Sequence, residues 1–562
     1  MNYKRQSILQ KQQLILLLFF IVFLSNLSMI AQDVERSKPE HWKGLVFGGR
    51  FMDLFLPMPA NGKLTSTTWG TKAVKPRYID NGIEDATWSY WGGNIIKDTD
   101  GKYHQFLCRW REDSAKGHME WPNSEVVHAI SENSLGPFKV SDVIGKGHNP
   151  EIHELKDGRY FISVNGGYYL APSINGPWQY NILTYDQRER PVFDHITNLT
   201  YAQREDGSYL MVGRGGETWF SQTGLPPYQQ VSEKSVYPPY PGNYEDPVVW
   251  RTNIQYHMVV NDWLGRIAYY LRSKDGINWK EDTGEAYMPG IAKYENGKVE
   301  GWYKFERMKV LQDKYGRAYQ VNFAVADTIK KEDKGNDNHS SKNIGIPVTV
   351  GRLLTILNKD KIGPATQNIE VLVQAEDNFN PHKDIDLKSL IFGGSDEVNY
   401  GRGSKVEKTE KSGKDLMITF STKGNGLTDA DFAAKLLGKT KKGKLLFGYA
   451  RLPWLDYNMQ ALSAKYPVLN VISKNALKIE MEVQNFGQVL SITSKIKIEF
   501  YQNGKWNELA KDVVPALAPF AKTRLVFNAK KFCEREETAR VRVTIVQEGQ
   551  NSSVLEGNIV IR

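Results

Sequence analysis

Cysteine is nearly absent from this chain: only 2 of its 562 residues are cysteine, Cys108 and Cys533. A pair of cysteines so far apart excludes a disulfide scaffold and any CxxC zinc site. Long apolar runs are equally scarce, and the only one lies at the N-terminus, which excludes a multi-span membrane protein. With 24% charged and 12% aromatic residues, the composition also excludes collagen-like and disordered chains. At about 150 residues per domain, the length predicts three or four domain-sized units.

The N-terminal apolar run has the form of a secretory signal peptide. Three basic residues precede LILLLFFIVFL (residues 14–24), and small residues end the segment at Ala31. A basic stretch, an apolar stretch and a small-residue exit are the three parts of such a signal. We therefore predict a signal peptide over 1–31, cleaved near Ala31, and a secreted or periplasmic protein with no membrane span after cleavage. An uncleaved anchor helix is the alternative.

The net charge of +9 is unevenly distributed along the chain. The predicted signal peptide carries +3, residues 32–330 sum to about −2, and residues 331–562 to about +8, which together give +9. The basic balance therefore belongs to the C-terminal part. It predicts either a domain that attracts an acidic polymer or simply a solvated basic surface.

The N-terminal half contains a repeated hairpin pattern, a turn followed by an aromatic residue and an apolar strand. Five segments share it: DGKYHQFLCRW (100–110), DGRYFISVNGG (157–167), DGSYLMVGRGG (206–216), TNIQYHMVVND (252–262) and KYGRAYQVNF (314–323). Short strands repeated every 50 to 60 residues are typical of β-propeller blades. We predict a five-bladed β-propeller over 45–370, with 346–357 as its closing strands and 330–343 as a polar loop or insertion.

The C-terminal part changes character. Residues 375–460 mix strand patterns with one predicted short helix at 429–437, which indicates a β-rich accessory domain. Residues 465–562 alternate apolar and polar positions and predict an immunoglobulin-like β-sandwich. The predicted fold is therefore all-β, a five-bladed propeller followed by β-sandwich accessory domains.

Aligning the blades on the shared aromatic residue brings the starts of the first strands into register. They read Trp91-Gly92-Gly93-Asn94, His148-Asn149-Pro150, Thr197-Asn198, Glu245-Asp246-Pro247 and Phe305-Glu306-Arg307. Second-strand ends add Arg109 and Arg214 at the same face. These positions surround the mouth of a propeller, where substrates bind.

This pattern resembles the five-bladed propeller superfamily of glycoside hydrolase families 43 and 117. The resemblance rests on the blades, on YEDPVVW (244–250) and on GHNPEIHELKDGRYF (147–161). WGGNIIKDTDGKYH (91–104) and HMEWPNSEVVHA (118–129) also resemble propellers of marine polysaccharide-utilisation clusters, such as ulvan lyases and ulvan oligosaccharide dehydratases. Family 43 would imply acids at the strand starts of the first three blades. Here those starts carry glycine or asparagine, and carboxylates appear only in blades four and five.

The missing acids lead us to predict β-elimination at a uronic acid. A base takes the proton next to the uronate carboxylate, and amides or arginines neutralise that carboxylate. The predicted catalytic residues are His148, Tyr244 and His128. The predicted substrate-binding residues are Asn149, Asn198, Arg109, Arg214, Arg307, Trp91, Asp246 and Glu306.

Two other function classes stay open. A glycoside hydrolase would use Glu245 or Asp246 with Glu306, since hydrolysis needs two carboxylates about 5 to 10 Å apart. A non-catalytic glycan-binding protein would use the same aromatic residues without turnover. The predicted partner is an anionic, ulvan-like polysaccharide or oligosaccharide and not nucleic acid. No catalytic metal site is predicted, a structural Ca²⁺ on the propeller axis is left open, and the sequence predicts no oligomeric state.

Overall fold

The computed structural model describes residues 35–66, 76–339, 341–363, 366–547 and 552–562. The predicted signal peptide over 1–31 lies outside these residues. Among the residues described, no helix has both the length and the apolar character needed to cross a membrane. The first segment contains two 3₁₀ turns, Glu40–Trp42 and Phe51–Leu54, and strand β1 (Leu64–Thr65), which pairs with β2 (Arg77–Tyr78).

Five sheets follow along the chain, and their strands pair antiparallel except for Tyr185–Asp186, which pairs parallel to Tyr228–Gln230. The first contains β3 (Trp88–Lys97), β4 (Tyr103–Arg111), β5 (Glu125–Ser131) and β6 (Lys139–Lys146), with a 3₁₀ turn at Gly117–Asn123. The second contains β7 (Glu151–Glu154), β8 (Tyr160–Val164), β9 (Gly167–Ala171) and β10 (Gln179–Ile182). The third contains β11 (Tyr185–Asp186), β12 (Thr200–Gln203), β13 (Tyr209–Val212), β14 (Thr218–Ser221) and β15 (Tyr228–Gln230), with β12 at one edge and β11 at the other.

The fourth and fifth sheets complete the repeat. The fourth contains β16 (Tyr244–Arg251), β17 (Tyr256–Asp262), β18 (Ile267–Ser273) and β19 (Lys280–Tyr287). The fifth contains three strands, β20 (Lys304–Gln312), β21 (Ala318–Ala326) and β22 (Ser341–Pro347). Each predicted hairpin signature lies on the first two strands of one sheet.

The five sheets form a closed ring of blades. The innermost strands contact each other in order, β12 with β16, β16 with β20, β20 with β3 and β3 with β7. The last step of the ring is a hydrogen bond from the Tyr201 amide of β12 to the Glu151 carboxylate of β7, at 3.0 Å. This arrangement confirms the predicted all-β propeller, and its five sheets lie at the positions of the five predicted blades.

The predicted accessory domain is a closed barrel of seven strands. Its strands are β23 (Arg352–Ile356), β24 (Asn368–Val373), β25 (Ile391–Gly393), β26 (Ser404–Ser412), β27 (Asp415–Ser421), β28 (Ala433–Lys439) and β29 (Leu445–Arg451). Short helical turns lie at Pro381–Asp384, Leu387–Ser389 and Ser395–Val398. Two leucines, two alanines and two phenylalanines are among the residues of its buried core, at positions 390, 436, 434, 450, 392 and 420.

The barrel corrects two predictions. The helix predicted at 429–437 is wrong, because Ala433–Lys439 is a strand that pairs with β25 on one side and β29 on the other. Pairing on both edges outweighs the high helix propensity of the Ala and Leu residues there. The closing strands predicted at 346–357 are also divided, since β22 ends at Pro347 in the propeller and Arg352–Ile356 belongs to the barrel. The boundary predicted at 370 therefore falls inside a barrel strand.

The last domain is the predicted β-sandwich. One sheet contains β30 (Leu462–Ala464), β31 (Val468–Ser473), β32 (Ala476–Asn485) and β35 (Lys522–Lys530), and the other contains β33 (Ser494–Gln502), β34 (Lys505–Val514), β36 (Thr538–Val546) and β37 (Ser553–Val560). It docks against blade three, where the buried Arg188 donates to Gln484 at 3.0 Å and to the Ser463 carbonyl at 2.9 Å. The residues around the propeller axis come from the blades.

Candidate active site

The propeller axis is built by one residue from the same position in every blade. Each has a left-handed backbone, and the five are Gly92 (φ 62°), Asn149 (φ 55°), Asn198 (φ 51°), Asp246 (φ 56°) and Arg307 (φ 52°). Only glycine, asparagine and aspartate adopt this conformation at low cost, so Arg307 is the unusual member. The common conformation turns all five residues toward the axis.

The side chains of four of these residues, all except Gly92, form a hydrogen-bonded network, here called the axial ring. The Asn149 amide donates to Asn198 at 2.8 Å, and the Asn198 amide donates to Asp246 at 2.8 Å. Arg307 donates to the Asp246 carboxylate at 2.9 Å and to the Asn149 carbonyl at 3.4 Å. All four side chains are buried. Asn149 and Asn198, predicted to bind a substrate carboxylate, are therefore engaged inside the protein.

Next to the axial ring lies a cluster of three carboxylates, here called the acid cluster. It consists of Glu245, Asp246 and Glu306, and one oxygen of each lies within 4.8 Å of one oxygen of both others. Glu245 and Asp246 are adjacent in β16, and Glu306 is the third residue of the neighbouring β20. A bulge after Glu245 and another after Glu306 interrupt the regular pairing at both sites. Bulges of this kind redirect side chains at functional sites.

A different cationic side chain faces each acid. Arg214 lies 3.5 Å from Glu245, and Arg307 lies 2.9 Å from Asp246. Lys330 lies 2.5 Å from Glu306. Lys304 is a second ammonium group near Glu306, at 3.7 Å.

The acids differ in their protonation. Burial, followed by repulsion from Asp246, raises the pKa of Glu245 to about 8, and Lys330 and Arg214 only partly offset this. Although its burial acts in the opposite direction, the charges of Glu306 and Glu245 raise the pKa of Lys330 well above the ordinary lysine value. At neutral pH the site therefore places a protonated Glu245 beside a Glu306 that is paired with an ammonium group.

Lys330 comes from the segment between β21 and β22, which folds over the mouth of the propeller. Its ammonium group lies 5.2 Å from the ring centre of Trp91 and 5.8 Å from that of Trp263. The same segment carries Asp333, 3.8 Å from the buried His118. A segment that sequence analysis treats as a polar insertion thus supplies a charged group to the site.

A small cavity opens beside Glu306. It is lined by Asn261, Trp263, Arg266, Tyr287, Pro289, Lys304, Phe305 and Glu306. Within the described part of the chain, Asn261 Nδ2, the Tyr287 hydroxyl and Glu306 Oε1 are buried without a hydrogen-bond partner. Buried polar atoms left unpaired are costly, so this cavity is suited to a polar group of a ligand or to water.

The predicted catalytic residues lie in three different places. His148 is half-buried at the mouth, with Nδ1 3.1 Å from the Ser124 hydroxyl and its ring 4.7 Å from that of Trp121. Burial, then Arg307 and Lys330, hold the pKa of His148 well below its ordinary value. It is therefore a neutral imidazole at the edge of the site.

His128 and Tyr244 are not at the acid cluster. His128 is buried in the middle of β5, 2.7 Å from His104, and burial lowers its pKa to about 4. The Tyr244 hydroxyl donates to the Tyr240 carbonyl at 2.9 Å, and its ring packs against Tyr269. Both side chains are used in packing between strands, which their positions in the sequence pattern did not reveal.

The other predicted residues divide between the site and its rim. Trp91 is buried against His118 and Lys330, and Arg214 connects Asp194 at 2.9 Å to Glu245. Arg109 lies over the Trp88 ring at 3.9 Å and pairs with Glu125 at 2.8 Å, on the rim of blade one. Lys330, Lys304 and Tyr287 could not be predicted from the aligned positions. Lys304 directly precedes the aligned residues of blade five, and Lys330 and Tyr287 lie in other segments.

The acid cluster also offers ligands for a cation, so the open question of an axial Ca²⁺ can be tested against its surroundings. Three carboxylate oxygens suit Ca²⁺ in type. However, Arg214, Arg307 and Lys330 already place three positive charges beside three carboxylates. With Lys330 in place, these residues do not fit a resident divalent ion.

Comparisons with known proteins give low similarity. No protein-family model and no curated protein matches the chain. Among solved structures, an α-L-arabinofuranosidase from Lactobacillus brevis is 14% identical, covers 47% of this chain and 91% of its own, with a TM-score of 0.33. The GH43 protein BlXynB from Bacillus licheniformis is 12% identical over 90% of this chain and 89% of its own, with a TM-score of 0.27. At these values a shared activity does not follow from the similarity.

Proposed function

We propose that this protein is a glycoside hydrolase in which Glu245 is the general acid and Glu306 the nucleophile. The observation that supports this proposal is the contrast between the two side chains. The pKa of Glu245 is raised to about 8, whereas Glu306 is paired with Lys330 at 2.5 Å. Two neighbouring carboxyl groups whose surroundings separate their protonation states form the usual acid and base pair of glycosidases.

The separation of the two carboxyl groups favours a retaining mechanism. One oxygen of Glu245 lies within 4.8 Å of one oxygen of Glu306, and so close an approach supports the short carboxyl spacing of retaining enzymes rather than the wider spacing of inverting ones. Glu306 would attack the anomeric carbon while the glycosidic C–O bond breaks and the leaving oxygen takes the proton of Glu245. Glu245, now a carboxylate facing Arg214, would then remove a proton from the water that hydrolyses the glycosyl ester.

The same geometry favours hydrolysis over elimination, the first prediction from the sequence. Elimination needs groups that neutralise a uronate carboxylate, and Asn149 and Asn198 are committed to the axial ring. The hydroxyl of Tyr244, a predicted catalytic residue, donates to the Tyr240 carbonyl instead. His148, a neutral imidazole at the mouth, and the cations around the acid cluster are the features that suit elimination.

We propose an anionic glycan as the substrate. Lys304, Lys330, Arg214 and Arg266 surround the acid cluster and its cavity, and Trp263 offers an aromatic face for a sugar ring. An acidic sugar would be attracted by these cations, and its binding should weaken as salt rises. The predicted signal peptide supports a secreted or periplasmic location.

Glycan digestion tests the proposed reaction. The protein is incubated with a panel of acidic and neutral polysaccharides, and both new reducing ends and the ultraviolet absorbance of unsaturated uronates are measured. Hydrolysis predicts reducing ends without that absorbance. Absorbance that grows with the reducing ends would establish elimination instead, and tight binding without turnover would establish a glycan-binding protein.

The pH profile should follow the protonation of Glu245. Because its pKa is raised to about 8, the acid form is present below that pH and is lost above it. We expect kcat/KM to fall by about tenfold per pH unit above pH 8. Arg214 lowers the pKa of Glu245, so Arg214→Met should move this limb to higher pH. An unchanged limb in that variant would mean that another group controls it.

Removing Lys330 should impair turnover more than binding. Lys330→Met leaves Glu306 without its nearest cation. It should also raise the pKa of Glu245 further, because in the native protein the Lys330 ammonium group lowers that pKa. We expect a loss in kcat of about 10²-fold. Lys331→Met is the matched control, because Lys331 is the exposed neighbour in the same segment. Equal activity of the two variants would show that Lys330 has no part in the reaction.

A further inference from the structure

A second cavity lies far from the acid cluster, where the propeller meets the barrel. Its walls come from the N-terminal segment, blades four and five, and barrel strands β23, β28 and β29. The aromatic residues in the lining are Phe51, Trp250, Tyr270, Phe447 and Tyr449. Together with Leu54, Leu353 and Leu354 they make most of the wall apolar. The atom-free space of about 810 Å³ includes open solvent at the mouth of the cavity.

The charged residues of the lining are mostly cationic. Arg50, Arg317, Arg352 and Lys435 line the cavity, against the single carboxylate of Asp282. Arg317 and Arg352 share the Glu376 carboxylate, at 2.7 and 3.4 Å. Asp53 pairs with Arg50 at 2.7 Å, and Asp313 pairs with Arg317 at 2.7 Å. The cavity therefore combines an apolar body with cationic groups, of which Lys435 makes its hydrogen bonds to neutral oxygens.

Lys435 is the most unusual of these cations. Its ammonium group donates to two neutral oxygens, the Gly48 carbonyl at 3.0 Å and Asn399 Oδ1 at 2.6 Å. Burial lowers its pKa to about 8, although Asp282 acts in the opposite direction. A buried ammonium group bonded to neutral oxygens is stabilised when an anion approaches it.

We propose that this cavity binds a small organic anion with an aromatic or other flat apolar body. The aromatic walls would pack against the body, and the arginine and lysine groups would receive the anionic group. The site does not depend on the acid cluster, so it stands or falls independently of the proposed hydrolase activity.

Two fluorescent probes of the same shape test the proposal. 8-Anilinonaphthalene-1-sulfonate carries the anionic group, and N-phenyl-1-naphthylamine has the same body without it. With the full-length protein we expect one sulfonate probe to bind per chain. Its affinity should be at least about 10-fold higher than that of the neutral probe, because one charge-assisted hydrogen bond contributes about that much. Equal affinity for both probes would overturn the charge argument.

Variants then locate the probe. A side chain at Gly351 enters the space beside Phe447, since its Cβ would lie 3.2 Å from two ring atoms. Gly351→Leu should weaken the sulfonate probe by about 10-fold or more, which is a loss of about 1.4 kcal/mol. Gly363→Leu is the matched control, because nothing lies within 4 Å of a Cβ there. Equal binding by both variants would place the probe elsewhere and refute the site.

A charge variant keeps the test decisive if Gly351→Leu fails to fold. Arg352→Gln should weaken the sulfonate probe and leave the neutral probe unchanged. Arg402→Gln, an exposed barrel arginine paired with Glu397 at 2.6 Å, is its control. Loss of both probes in Arg352→Gln, or an unchanged sulfonate affinity, would overturn the proposal.

Discussion

Replacement of Glu306 by glutamine is expected to reduce kcat/KM for glycoside hydrolysis by at least about 10³-fold, because the amide cannot act as a nucleophile or base. Glu245→Gln should give a loss of about 10² to 10⁴-fold by removing the proton donor. The loss in Glu245→Gln should be smaller for substrates with good leaving groups, which need no proton. Turnover of aryl glycosides and of the natural glycan, measured side by side, checks both expectations.

Glu281→Gln is the control for these two variants. Glu281 is a half-buried glutamate of blade four, and burial raises its pKa to about 7. Unlike Glu245, it lies on the outer strand, near Tyr240. It should retain full activity. If azide restores turnover to Glu306→Ala and yields a glycosyl azide of inverted configuration, Glu306 is the nucleophile. Full activity of Glu306→Gln would refute the proposed mechanism.

Replacement of Arg307 by methionine is expected to cost about 3–5 kcal/mol of the free energy of unfolding. The guanidinium group is buried and lies 2.9 Å from Asp246 Oδ1. Its removal leaves a buried carboxylate without its cation and opens the axial ring. Methionine has the same left-handed strain at this position as arginine, so the loss measures the ion pair and its hydrogen bonds. Urea unfolding followed by tryptophan fluorescence gives the value.

The double variant and a surface control sharpen this measurement. Adding Asp246→Asn to Arg307→Met should recover part of the loss, since a neutral amide needs no cation. Arg524→Met removes an ion pair with Glu480 at 2.9 Å on the sandwich surface and should cost less than about 1 kcal/mol. A loss at Arg307 as small as at Arg524 would show that Asp246 is solvated in the axial ring.

The repeated hairpins were predictable because they depend on neighbouring residues. Each blade needs a tight turn and alternating strands within about 50 residues, and both leave a local pattern. The register of the strand starts followed from the same pattern, and the structure places Asn149, Asn198, Asp246 and Arg307 at equivalent points. The barrel was less readable, since its strands pair with distant partners, as β23 does with β29.

The roles of the strand-start residues could not be predicted from their positions alone. Asn149 and Asn198 face the axis, as the alignment implied. The amide group of each, however, donates a hydrogen bond to the next side chain of the axial ring and not to a ligand. Lys330 lies in a polar segment without periodicity, and only the folded chain brings it to Glu306. Which of several carboxylates is protonated depends on burial and neighbouring charge, and neither is written in the spacing of residues.

The sequence by itself determined the all-β class, the five blades, the sandwich and the set of residues near the axis, because local turns and alternation specify each of them. The tertiary structure decided which of these residues form hydrogen bonds within the axial ring and which carboxyl groups lie beside it as a neighbouring pair. The reason is physical: a pKa and a free hydrogen-bonding group arise from contacts between distant segments. Glu245, Glu306 and Lys330 come together only when the ring of blades closes.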